Sequence, residues 1–88
     1  MKEGCMKGQR VEYDGNGPLP ANGSYWKQEG IWYCATPNGH YGNLKAHQVT
    51  EHPDGTITVS PSILISGRYG GKDHELYHGW LQAGEWKP

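Results

Sequence analysis

The clearest alternation of apolar and polar positions runs through "VTEHPDGTITVSPSILIS", Val49 to Ser66. Ile57, Val59, Pro61, Ile63 and Ile65 keep one parity, while Thr56, Thr58, Ser60, Ser62 and Ser66 keep the other. A period of two is that of a strand with one buried and one wet face. The preceding Gln48 to Glu51 then forms the other arm of a hairpin. Two registers compete. A two-residue Asp54-Gly55 turn sets Val49 against Ser60 and mixes apolar with polar residues on both faces. A type I turn over His52-Pro53-Asp54-Gly55, with Gly55 in a left-handed bulge position, sets Val49 against Val59, Thr50 against Thr58, Glu51 against Ile57 and Gln48 against Ser60. Only the second separates the faces, so it is the expected register. Pro61 keeps the strand parity but has no N–H for a ladder. A bulge, or a crossing point between two sheets, is therefore expected there.

The rest of the chain adds shorter elements. "SYWKQ" (24–28) and "IWYCAT" (31–36) are aromatic and β-branched, and Glu29-Gly30 separates them; both read as strands. "ELYHGWL" (75–81) is a further strand. "DGNGPLPANG" (14–23), "PNGHYGN" (37–43) and "SGRYGGKDH" (66–74) read as loops. Val11 and Tyr13 suit a short edge strand. Helical spacing is never sustained beyond a single turn near Lys72 to Leu76. The expected fold class is all-β, a small twisted meander or β-sandwich with long Gly/Pro-rich loops. The expected organisation is an irregular N-terminal segment over 1–23 and a single compact β domain over 24–88.

Composition sharpens this picture. Eighty-eight residues with 34% hydrophobic content and no Phe make one domain with a small core. Four Trp and six Tyr must carry much of the apolar load. A net charge near −1 gives little to draw nucleic acid or acidic lipid, so neither is an expected partner. No apolar run of membrane-spanning length occurs, and no membrane association is expected. The opening "MKEGCMKGQR" lacks an apolar core and is not read as a signal peptide. Two cysteines are too few for a disulfide scaffold, so free thiols in a reducing compartment are expected. The Asn22-Gly23-Ser24 sequon is read as chance.

Candidate chemistry is sparse. Cys34, His40 and His78, with His47, His52 and His74, are the available zinc ligands. There is no C-x2-C pair, and the Cys34-to-His40 spacing fits no strong zinc pattern, so no cofactor is expected. His47 falls on the inward parity and is expected to be hydrogen-bonded in the core. Ser60 and Ser62 show no base and orienting group in sequence, and no G-x-S-x-G elbow exists. No catalytic residue is assigned. Gly67 to Asp73 has the glycines, Arg68 and Lys72 of an anion cradle but lacks P-loop spacing, and it is read as an ordinary mobile glycine loop. The opening of the sheet at Pro61 predicts a concave polar site instead. Ser60, Ser62, Arg68 and His78 would offer hydrogen bonds there, and Trp80 or Tyr41 a flat wall.

Thr58-Val59-Ser60-Pro61-Ser62-Ile63, preceded by Trp32-Tyr33-Cys34 and His40 and followed by His78, Trp80, Leu81 and Gly84, resembles a family of small, mostly phage-encoded proteins of unknown function. The resemblance covers roughly residues 31 to 86. Many relatives carry further cysteines that suggest a zinc cluster, and this chain departs from them there. The resemblance implies phage or prophage origin and action in the cytoplasm of the bacterial host. The expected role is a non-enzymatic binding module that sequesters a small ligand or masks a host protein, with counter-defence as one such use. A metal-dependent hydrolase using Cys34, His40 and His78, or a minor virion component, are the alternatives. A homo-oligomer stays open.

Overall fold

The computed structural model describes residues 5–88, so residues 1–4 of the expected N-terminal segment lie outside the described residues. Nine strands follow in order: β1 (Met6–Lys7), β2 (Gln9–Arg10), β3 (Ser24–Gln28), β4 (Ile31–Ala35), β5 (Tyr41–Asn43), β6 (Gln48–Glu51), β7 (Ile57–Tyr69), β8 (Lys72–Gln82) and β9 (Glu85–Lys87). They form a five-stranded sheet in the order β1-β9-β8-β7-β6 and a four-stranded sheet in the order β2-β3-β4-β5. The fold is all-β, as the period of two requires.

Both sheets contribute to one core. Tyr25, Trp32 and Cys34 come from the smaller sheet, and Ile57, Val59, Ile63, Leu81 and Trp86 from the larger, with Leu44 between elements. Trp86 is fully buried, and its indole N–H donates to Gly23 O at 2.9 Å, which ties the two sheets together. Burying an indole N–H is costly without such an acceptor. Trp26 faces the other way from Tyr25. It is covered by Tyr13, edge-on at 5.6 Å, and stacked on Tyr33 at 6.0 Å. The irregular segment after β2 thus lids the outer face of the smaller sheet.

The N-terminal segment differs from expectation. Met6–Lys7 pairs with β9 and Gln9–Arg10 pairs in parallel with β3, so the chain steps from one sheet to the other at Gly8. A side chain at Gly8 would lie 2.9 Å from Gly84 O and from Trp86 Nε1, so only glycine fits. The expected edge strand at Val11 and Tyr13 is displaced to Gln9–Arg10; the Val11 N–H still bonds to Tyr25 O at 3.0 Å.

The β6–β7 hairpin has the expected register: Gln48 opposite Ser60, Val49 opposite Val59, Thr50 opposite Thr58 and Glu51 opposite Ile57. The Gly55 N–H bonds to His52 O at 2.9 Å, and Gly55 has φ 90°. Asp54 Oδ1 accepts from both the N–H and the hydroxyl of Thr56, at 3.0 and 2.7 Å. Two of the expected loops are corrected. Tyr41–Asn43 forms β5 against β4. Ser66 to His74 is no loop, because β7 and β8 run together until a two-residue Gly70-Gly71 turn. Two glycines at positive φ suit a tight hairpin, where their composition alone reads as a loop.

The question posed by Pro61 has a structural answer. Between the Val59–Leu81 and Ile63–Gly79 pairs, β7 advances four residues while β8 advances two. Ser60-Pro61-Ser62 therefore carries a bulge of two extra residues, and the Ser60–Pro61 peptide is cis. An even insertion preserves parity, so Ile63 returns to the core while Pro61 itself is exposed rather than inward. A second bulge, of one residue, lies at Leu76 in β8.

Candidate functional site

Each bulge frees a carbonyl, and each is capped from elsewhere. The His47 Nε2–H donates to Ser62 O at 3.0 Å, since a carbonyl can only accept. Asn38 Nδ2 donates to Leu76 O at 2.9 Å, while Asn38 Oδ1 accepts from the Thr36 hydroxyl at 2.6 Å. His47 is thus a half-buried hydrogen-bonding residue, as its parity suggested. These clips hold the β7–β8 ribbon to the rest of the molecule at the points where its ladder is irregular.

The outward face of that ribbon gathers part of the expected site. Ser62 Oγ lies 3.0 Å from His78 Nε2, and the His78 ring packs 5.4 Å from Trp80 at a 31° tilt. Leu64, directly opposite His78 in the ladder, is 53% exposed, and Trp80 is 38% exposed. Ser60 is exposed beside them at the bulge. Farther along the same face, the Thr58 hydroxyl contacts His52 Nε2 at 2.7 Å and accepts from the Ala83 N–H at 2.9 Å. The result is an aromatic and aliphatic patch rimmed by hydroxyls and a histidine.

Two expected members are elsewhere. Arg68 sits six residues beyond Ser62, on the order of 20 Å along a strand. It pairs with Asp73 at 3.0 Å near the hairpin tip. Tyr41 belongs to the edge of the smaller sheet, and its hydroxyl donates to Pro20 O at 2.8 Å. A site that joined them to Ser62 does not form, because residues 66–74 extend the ribbon instead of folding back as a loop. Leu64 was missed. Its signal was present in the sequence, since it is the one aliphatic residue on a parity otherwise held by Thr and Ser.

The possible metal ligands do not converge. Cys34 is fully buried in the core, where desolvation pushes its thiol up to about 12. His40 lies in the β4–β5 turn, its N–H held by the Thr36 hydroxyl at 2.9 Å, and His78 is on the outer face of the larger sheet. No three His, Cys, Asp or Glu side chains gather into a metal-holding group among the described residues. The Ser62–His78 pair has the spacing of a nucleophile and base. Among the described residues, however, no carboxylate orients the other nitrogen of His78.

Two hollows lie away from this face. One, of about 580 Å³, is lined by Glu12, Tyr13, Asp14, Asn16, Lys27, Gln28 and Glu29. The other, of about 310 Å³, is lined by Gly30, Ile31, Trp32, Leu44, Lys45, His47 and Val49. Neither includes Ser62, Leu64, His78 or Trp80. No protein-family model, curated protein or solved structure matches this chain.

Proposed function

We propose that this chain is a small accessory protein of phage or prophage origin, acting as a non-enzymatic binding module in the cytoplasm of a bacterial host. Its binding face is the outward side of β7 and β8, and its partner is a host protein. The observation that carries this reading is the exposed Leu64–His78–Trp80 patch with Ser62 at its rim. Exposed tryptophan beside an aliphatic residue, ringed by polar groups, is the composition of an interface centre. The patch is an exposed sheet face and lines neither of the two hollows described, which suits a protein surface better than a small molecule. The phage origin is supported by the "TVSPSI" strand and the His-x-Trp segment that follows it. Hydrolysis lacks support, since Cys34, His40 and His78 lie apart and Ser62–His78 lacks an orienting acid.

Capture from host lysate tests this. Wild-type protein should retain a defined host protein, and a Leu64→Glu/Trp80→Ala variant with unchanged circular dichroism should lose it. Lys27→Ala, which alters the larger hollow, should capture it normally. Equal capture by the double variant, or loss in Lys27→Ala alone, contradicts the proposed face.

A further inference from the structure

Peptide groups along a strand point alternately to its two sides. In β7, Thr58 and Ser60 lie opposite β6 and Ser62 O accepts from His47. Every residue from Ile63 to Tyr69 lies opposite β8, but the two-residue Gly70-Gly71 turn makes Tyr69–Lys72 the hydrogen-bonded closing pair, and alternation from it makes Gly67, Ile65 and Ile63 the residues whose peptide groups point to β8. The next residues of the first set are Leu64, Ser66 and Arg68. Their N–H and C=O groups therefore point away from β8. β6 ends opposite Ser60, and none of these three residues has a backbone partner on that side among the described residues.

The two edges of the ribbon differ. On β8, the free edge beyond the β9 pairing is interrupted by the bulge at Leu76, whose carbonyl Asn38 occupies. Asp73 and Glu75 are its outward-bonding residues, so a second strand laid antiparallel on it by another copy would set acid against acid. These are the ordinary protections of an edge strand. On β7, the sequence "LISGR" from Leu64 to Arg68 has no acid, no proline and no bulge. It contains Leu64 and adjoins Tyr69, which are 53% and 59% exposed.

We propose that the Leu64–Arg68 edge of β7 pairs with the same edge of a second copy of this chain, antiparallel about a two-fold axis at Ser66. This register sets Leu64 against Arg68 of the partner subunit, and Ser66 against its own equivalent. No like charges meet, and about six N–H···O bonds close the gap between the two ribbons. Three bonding residues pair with three in a self-complementary way, as a two-fold interface requires. The resulting four-stranded ribbon places both Leu64–His78–Trp80 patches on one continuous sheet. The pairing does not rest on the host-protein reading, because it is read from the free protein.

Sedimentation equilibrium of the purified chain tests it. The wild type should approach twice the 9.8 kDa chain mass as concentration rises. Ser66→Pro removes the outward N–H while leaving the β8 side intact, and Ser66→Glu places two carboxylates at the axis. Each should weaken self-association at least tenfold with unchanged circular dichroism. If Ser66→Pro fails to fold, Ser66→Glu decides. A wild type that stays at one chain mass overturns the proposal. So does a folded Ser66→Glu variant that associates as the wild type does.

Discussion

Single residues carry three distinct constraints. Gly55 holds φ 90° at the end of the β6–β7 turn, a conformation costly for any side chain with a Cβ. Gly55→Ala should cost on the order of 1 kcal/mol, read as a lower urea midpoint. Trp86 is buried at the junction of the sheets with its N–H on Gly23 O. Trp86→Phe should cost on the order of 1 kcal/mol, because Gly23 O loses its indole donor and keeps only the Gln9 N–H at 3.2 Å, and an unchanged midpoint would show that the indole bond adds nothing to the junction. Cys34 is buried with its thiol raised to about 12, so it is protonated and inert at neutral pH. Iodoacetamide should modify Cys34 only after denaturation, as followed by peptide mass, and modification in the folded state would show that the core opens. Gly55 was legible from sequence because its role follows from local turn chemistry. Trp86 as a tie between sheets was not, since its partner is 63 positions away.

At the scale of elements, the hairpin register followed from parity because a slip of one residue would reverse which face is buried. Pro61 was legible as a bulge or a crossing point, while the choice between them and the two-residue size were not, because both depend on where β8 resumes pairing. The length of the β7–β8 ribbon was hidden for a similar reason: "GRYGGKD" has loop composition, and only the ladder shows that Gly70-Gly71 alone makes the turn. The carbonyl clips test this description. His47→Ala and Asn38→Ala should each lower stability by on the order of 1 kcal/mol in urea unfolding, by leaving Ser62 O and Leu76 O unpartnered. Lys45→Ala, exposed between them in sequence, should change little. The turn also links to pH. The Thr56 hydroxyl, and then its N–H, hold the Asp54 carboxyl below its usual value of 3.8. A carboxyl depressed in the folded state stabilises above its unfolded pKa and loses that contribution as pH falls through the folded one. Thermal midpoints should therefore be level through the neutral range and fall on acidification below the ordinary aspartate range. Asp54→Ala should shrink that acid-side fall, and an unchanged fall would place the acid sensitivity elsewhere.

For the whole molecule, an all-β fold with an aromatic-rich core was legible from the alternation and from the Trp and Tyr content, while the choice of two sheets over a single meander was left open. The N-terminal step between sheets was not, because Met6 to Arg10 carries no periodicity and gains its strand form only from β9 and β3. The candidate site was half legible. Ser62, His78 and Trp80 come together because an even bulge keeps them on one face, whereas Arg68 and Tyr41 were joined to them through loops that are in fact strands. The central claim is that the outward face of β7 and β8 is what the protein uses. Hydroxyl-radical footprinting with and without the captured host protein, at equal protein concentration, tests it most directly. Labelling of Trp80, His78 and Leu64 should fall in the complex, while that of Tyr41 and Tyr13 stays level. Protection of Tyr41 or Tyr13 with Trp80 unchanged would contradict it.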